Sequence, residues 1–568
     1  MTMKKILYPL ILALCAGSVS SCNKFLEEKN IAGITAENYY KDAAGFESLV
    51  RSCYGSLRSI YDINPSLFEY GTDIMTRGEI EPVSGTVGDL VIRATGLNEY
   101  KTLASNNSAV DKLFASAYAG IQRCNTAINK ASGIPDLTDA LRNKRLAEVR
   151  FIRAYYYYLL VENYGNVPIV EEEINTAITH FDPKSEADVY NFIIADLQQS
   201  MQSADITTSE FGRVTRDAAK HLLALVYLTK GYKSFGSNED FVASAKLAEE
   251  VIGAGTYALL PTFSAVFDPK NQQNKEILFS IQYDKTSLKP SLGTGNGQNV
   301  LFGWRVWREP GFFEETTVYN RRLSDFMPTQ FLYTLFDTKK DARYDGTFLS
   351  SFFAIKDDVM GGHTIKKGDL RFYFPYPDQP FSKEDSIAMK TANPNVEIIR
   401  FNQWKQDFDG IGGAMKFPMV NKFFDPNATA FGNSENNHRS TRDIFIFRLS
   451  ETYLIAAEAY FKLNKLSDAA QKLNVVRERA TKPGQSLAIT AADVTLDFIL
   501  DERAREQVGE YKRWLDLKRT KKLNRAFEHN LLTKMANPGG VPDTYYLRPI
   551  PQTVIDRDTE KYPQNPGY

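Results

Sequence analysis

Tyr453, Ala456, Ala457 and Tyr460, followed after a short turn by Ala469, Leu473 and Val476, fall at the offsets of a tetratricopeptide-like unit. In such a unit small residues let two antiparallel helices pack closely. A similar arrangement with a longer connecting loop occurs at Leu223, Ala224 and Tyr227, followed by Ala245 and Ile252. Helix pairs of this kind bury their faces only by stacking on further pairs, so the two sets are expected to pack together although they lie far apart in the chain. That requirement points to a helical frame built from both ends of the sequence.

Further stripes support it. Phe114, Ala117, Tyr118, Ile121, Cys124 and Ile128 recur at helical spacing, as do Leu146, Val149, Ile152, Tyr156 and Leu159. Val189, Phe192, Ile193 and Leu197 follow the cap-like start Ser185-Glu186-Ala187-Asp188. Ala219, Leu222, Leu223 and Val226 make a fourth helix, and Ala245, Ala248 and Ile252 a fifth. Helical blocks are therefore expected at about 104–255 and 449–523. Between them, over about 256–443, Gly, Pro, Asn and aromatic residues dominate, with short strand-like runs such as Ile277 to Ile281. Long irregular stretches on a rigid frame usually carry function. The predicted fold class is mostly α: helix pairs packed with a loop-rich part that contains short strands.

The N-terminus says where such a body would sit. Lys4 and Lys5 precede an apolar run from Ile6 to Ala16, and Val19-Ser20-Ser21 leads into Cys22. The run falls short of the about 20 residues that span a bilayer, so residues 1–21 are expected to be a signal removed on export. The box before Cys22 is that of a lipoprotein, with lipidation of the Cys22 thiol and then of its freed amine. One acyl chain holds marginally, whereas two or three make a durable anchor. An ordinary secretory signal with an incidental cysteine is the alternative. Polar residues 23–35 read as a tether, and no second long apolar segment follows.

The net charge of −1 leaves no basic footprint for nucleic acid and no acidic tail. Besides Cys22 and Cys15, the chain carries Cys53 and Cys124, both in helical patterns; buried free thiols and a bridge between them are both open. With 30 Tyr and 36 Phe, not every aromatic ring can be core, which leaves room for an aromatic binding surface.

Trp304, Arg305 and Trp307 stand in a Gly- and Asn-rich region, with Tyr283 upstream and Tyr319 downstream. A pyranose ring presents an apolar C–H face and a hydroxyl rim, so it is recognised by a flat ring beneath and charged or amide groups at the edge. Core packing is the alternative for both indoles. Gly293, Gly295 and Gly297 read as loop flexibility, since no helix pattern follows them. Trp404 and the aromatics from Phe372 to Tyr376 read as packing. Glu502, Arg503, Glu506 and Arg513 lie at helical spacing and are expected to pair with one another structurally, with Trp514 as core. Asp407 with Asp409, and Glu314 with Glu315, are the carboxylate pairs a glycosidase reading would use, but adjacency does not show the separation of about 5–9.5 Å that this chemistry needs. The five histidines are scattered, with neither a His-Glu-x-x-His nor a Gly-x-Ser-x-Gly motif, so no metal, cofactor or catalytic site is expected.

Several blocks, taken in order, resemble the SusD/RagB family of outer-membrane nutrient-binding lipoproteins. They are Ala147 to Tyr155 running on to Tyr164-Gly165-Asn166-Val167-Pro168; Gly212-Arg213-Val214-Thr215 with Ala219; Glu276 to Ser280; and Arg448, Glu451 and Tyr453 to Glu458. Glu502-Arg503, Glu506, Gly509, Arg513, Trp514, Asp516 and Leu517 follow, then Pro549-Ile550-Pro551-Gln552 and the ending Gln564 to Tyr568. The resemblance spans nearly the whole mature chain. It departs at Arg448-Leu449-Ser450 and in the aromatic-rich segment 348–418, the latter bearing on ligand identity. It implies a single domain over 22–568. It also implies a TonB-dependent barrel partner of the SusC type, over which the lipoprotein sits as a lid, with oligosaccharides or peptides as cargo and the repeat face toward the barrel. Asp73 and Arg77 match the region from which family members send polar groups toward ligand, a surface ion pair or helix cap being the alternative. Glu27 and Glu28 suit export to the outer leaflet in this class. Peptide capture, a pure protein scaffold and a glycoside hydrolase are the competing readings; the tryptophans favour sugar over peptide.

Overall fold

Helix propensity, caps and apolar stripes place the long elements much where the periodicity puts them. The computed structural model describes residues 40–61, 66–78, 95–284, 295–312, 318–320, 322–404, 415–430, 438–540 and 542–568. Cys22 and the signal lie outside these residues. The first half holds α1 (Ala43–Ser56), α2 (Ser108–Lys130), α3 (Asp139–Tyr164), α4 (Glu186–Ser203), α5 (Arg216–Lys230) and α6 (Asn238–Gly253). The second holds α7 (Leu449–Lys462), α8 (Leu466–Arg479), α9 (Leu496–Glu506), α10 (Arg513–Arg519) and α11 (Gln552–Arg557). The Ser185 hydroxyl accepts the Asp188 N–H and so caps α4, as the sequence pattern suggests. Val189, Ile193 and Leu197 behind it are fully buried.

Successive helices pack as neighbours: α2 on α3, α3 on α4, α5 on α6, and α7 on α8. The expected stacking of distant pairs is present, because α6 packs directly against α7. Small residues permit the close approaches. A Cβ on Gly120 of α2 would fall 2.3 Å from the Tyr156 ring of α3, so only glycine fits there. One contiguous apolar core runs from Phe46 to Tyr562. Cys53 and Cys124 are buried in it as free thiols. Burial, and next the neighbouring Cys53, push the Cys124 thiol well up, which leaves it protonated. No described helix is long and apolar enough to cross a membrane.

The middle of the chain contributes short strands. β1 (Met75–Arg77) pairs antiparallel with β3 (Phe326–Pro328), and β2 (Ile277–Ile281) with β6 (Ile444–Arg448). β4 (Ser351–Phe353) pairs with β5 (Leu370–Tyr373). The β2–β6 register sets Arg448 opposite Ile277 and so beside Glu276. Arg448 donates to Glu276 at 2.8 Å, to Glu506 at 3.1 Å and to Glu510 at 2.8 Å. Arg343 reaches Asp341, Glu502 and Glu506 at 2.8, 2.7 and 3.2 Å. Arg477 and Arg505 close on Glu502 at 2.5 and 2.7 Å, and Arg479 on Glu276 at 2.9 Å. Glu502, Arg503 and Glu506 are thus structural, as expected, but they do not pair with one another: apart from Arg505 on the same helix, their partners come from other elements. Helical neighbours at i, i+3 and i+4 share a face, and here that face meets neighbouring helices, a strand and the loop-rich middle, which carry the opposite charge. Arg503 likewise pairs with Asp516 at 2.8 Å and Glu451 at 3.3 Å, while Trp514 is fully buried core.

Burial pushes the Glu506 carboxyl up, but the guanidiniums of Arg479, Arg448 and Arg343 outweigh it and take it down to about 2. Glu69 shows the reverse: burial dominates over the Tyr511 N–H bond and raises it to about 8. Glu506 therefore contributes stability that is complete above its unfolded value of 4.5 and is lost as pH falls toward about 2. Glu69 is protonated in the fold, so its contribution declines as pH rises from 4.5 to about 8. Glu506→Gln is expected to cost about 3–5 kcal/mol in urea denaturation at pH 7, because it leaves buried guanidiniums uncompensated. Glu69→Gln is expected to lose less stability than the native chain between pH 5 and pH 8; an equal loss would contradict this assignment.

Candidate functional site

The two tryptophans proposed from sequence part company in the fold. Trp304 is 1% exposed and packs on Phe352 at 5.3 Å and edge-on to Phe372 at 5.2 Å. Its indole is core and presents no face to a ligand. Trp307 lies in the single helical turn that follows, Val306–Arg308, and is half-buried. The Trp307 Nε1–H donates to the Arg322 carbonyl at 3.0 Å, which fixes the ring, and the Arg308 guanidinium lies 4.9 Å from the ring centre.

Arg322 is the clamp behind this ledge. Fully buried, it donates to the Tyr319 carbonyl at 2.9 Å, the Asn421 side chain at 3.0 Å and the Asn299 carbonyl. Burial lowers its pKa to about 9. Tyr319 is 6% exposed; its hydroxyl accepts the Phe353 N–H at 2.8 Å and donates to the Phe353 carbonyl at 3.1 Å. Tyr319 is therefore a clip for β4 rather than an open platform. What it clips is exposed: Phe353 is 47% accessible, and Val318 beside Tyr319 is 54% accessible. Sequence reasoning missed Phe353, although strand alternation would have found it, since Phe352 points in and its neighbour must point out.

Arg77 lies at the end of β1, opposite Phe326. The Gly78 N–H donates to the Asp325 carbonyl at 2.8 Å, three residues beyond Arg322, and Arg77 pairs with Glu99 at 2.9 Å while part-exposed. Asp73 does not join it. Its carboxylate is fully buried and accepts from Arg513 at 2.7 and 2.6 Å and from Arg525 at 2.9 Å. Burial would raise it, but the Arg513 and Arg525 charges take it down to about 2. A desolvated carboxylate between two guanidiniums staples its loop to α10 and is not available to a ligand. Arg305 is 8% exposed, and Tyr283, also 8% exposed, sits with Arg58 5.0 Å from its ring and its N–H on Asp443. The structure thus joins Trp307 and Tyr319 through Arg322, whereas Arg77 pairs with Glu99 and Tyr283 belongs to the end of β2.

Trp404 is packing, as expected: it is 4% exposed and edge-on to Tyr333 at 4.7 Å. Phe372 and Phe374 are buried too. One turn of helix, Gln298–Leu301, does follow Gly297, contrary to expectation, but it is wholly buried and too short for an anion site. Glu314, Glu315, Asp407, Asp409 and Gly293 lie outside the described residues.

A model of the SusD family matches residues 275–568, and a model described as starch-binding associating with outer membrane matches residues 24–228. The chain belongs to the SusD family. SusD-like protein P2 of Formosa agariphila is 27% identical over 560 residues, covering 96% of each chain. The starch-binding protein SusD of Bacteroides thetaiotaomicron is 24% identical over 461 residues, covering 76% of this chain and 74% of that one. Among solved structures, a laminarin binding SusD-like protein matches with a TM-score of 0.67 at 22% identity, over 93% of this chain and 100% of the other. Surface glycan-binding protein A from Bacteroides thetaiotaomicron matches at 0.68 and 21%, with the same coverage. These likenesses establish the SusD fold, with its mostly helical frame and short strands.

The geometry separates two phenotypes. Trp304→Ala is expected to lower stability by about 3–5 kcal/mol, as a large core ring lost to a cavity does. Trp307→Ala is expected to leave the thermal midpoint within about 2 °C, the size of effect expected for a surface change in a chain this long. Differential scanning calorimetry of the two variants checks both, and equal destabilisation would show that Trp307 is core as well.

Proposed function

We propose that this chain is a lipid-anchored protein of the outer membrane, facing the cell exterior. It captures oligosaccharides or polysaccharide and passes them to a TonB-dependent transporter of the SusC type. Its action is binding without catalysis. The observation that carries the reading is the Trp307 ledge: one indole held by its own N–H, flanked by Arg308 and part-exposed. Stacking that buries about 60 Å² of sugar contributes roughly 1.5 kcal/mol, which suits reversible capture before hand-over. Family membership and the starch- and laminarin-binding relatives support a carbohydrate ligand. Lipid at Cys22, with residues 23–35 as tether, would hold the body at the membrane surface.

Glycan-array binding by the chain from residue 23 onward tests the ligand class. Retention of at least one oligosaccharide, weakened about tenfold in Trp307→Ala but not by loss of Arg77 alone, is the expected outcome. Retention of oligopeptides with no carbohydrate would overturn it in favour of peptide capture. Cys22→Ser should release the protein from membranes; a variant that still fractionates with them would refute the anchor.

A further inference from the structure

A cavity of about 490 Å³ opens between α2, the chain that follows α3, and α11 near the C-terminus. Its volume falls in the range of small-molecule sites. Phe114, Tyr118 and Ile121 of α2 form one wall, Val170 and Ile174 a second, and Val554 with Tyr562 a third. The polar atoms in these walls are turned into the protein. The Tyr118 hydroxyl donates to the Pro168 carbonyl at 2.8 Å, and the Gln122 amide exchanges hydrogen bonds with the Ile174 backbone at 3.2 and 3.3 Å. What these three walls turn to the space is therefore mainly ring and methyl surface. Ile178, 48% exposed, stands among the lining residues.

Two lining groups carry charge, Arg557 and Asp558. Arg557, the last residue of α11, is exposed and forms no hydrogen bond or ion pair among the described residues. The acids nearest in sequence are already engaged: Asp558 accepts from His180 Nδ1 at 2.8 Å, and Asp556 from Gln552 at 2.7 Å. An apolar chamber with a single uncommitted guanidinium complements a molecule with the opposite layout, an apolar body carrying one anionic head. A dry apolar cavity takes apolar groups readily, and a guanidinium fork grips a carboxylate through paired N–H bonds.

We propose that this cavity binds a small amphipathic carboxylate, alkyl or aryl, with its chain against Phe114, Ile121 and Val554 and its head on Arg557. The site is separate in its residues from the Trp307 ledge and does not depend on the carbohydrate reading.

Isothermal titration of the chain from residue 23 onward, which keeps every described element, tests it with decanoate and its uncharged counterpart 1-decanol. One decanoate per chain is expected. Arg557→Gln should weaken decanoate about threefold to tenfold and leave 1-decanol unchanged, the difference between an ion-paired and an unpaired head group. Val554→Trp, which fills the cavity from a part-exposed position, should abolish both while circular dichroism stays native. The absence of saturable decanoate binding, equal decanoate affinity in Arg557→Gln, or undiminished binding in Val554→Trp would each overturn the proposal, as would displacement of decanoate by a neutral oligosaccharide.

Discussion

A lattice of buried arginines and glutamates is the interaction on which the rest of this structure depends. Arg448 arrives from β6, Glu276 from the start of β2, Glu506 from α9 and Arg343 from the loop-rich middle, and all four are fully buried where they meet. A desolvated charge is costly alone and tolerable only when fully paired. Each member therefore demands the others in place, and the requirement couples the irregular middle of the chain to the helical stack. Apolar burial drives the helices together, but it is directionless; the ion pairs specify which strand lies against which helix.

The same logic, on a smaller scale, positions the candidate ledge. Among the described residues Arg322 has no carboxylate partner and is held instead by two carbonyls and one amide oxygen from three separate chain segments. Its own carbonyl then fixes the Trp307 indole. A ring held in advance loses little side-chain entropy on meeting a ligand, which is how an irregular segment presents a flat surface. Asp73, by contrast, is consumed by the framework, tying a loop to α10 through Arg513.

The helical part of the fold was legible because its signals are local. The Ser185 cap, the Val189–Leu197 stripe and the alanines of α7 and α8 report on residues three or four positions away, and the structure repeats them. Trp514 is core on the same local helical pattern, whereas Trp404 packs on the distant Tyr333 and Phe374. What could not be read is what depends on contacts across the chain. Asp73 and Arg513 are 440 residues apart, and nothing near Asp73 announces a guanidinium waiting for it. Trp304 and Trp307 share one irregular stretch, and nothing local in it tells that the first is core and the second, in the helical turn that follows, half-buried. Phe353 was within reach of sequence reasoning, had the alternation of β4 been set against its neighbours.

The coupling of loops to helices is open to one direct measurement. Equilibrium urea unfolding followed by far-ultraviolet circular dichroism reports the helical stack, and tryptophan fluorescence reports the segment around Trp304 and Trp307 together with Trp404 and Trp514. If buried charge makes them one cooperative unit, the two curves superimpose with a single midpoint. Loss of the fluorescence signal at a clearly lower urea concentration than the helical signal would contradict the account.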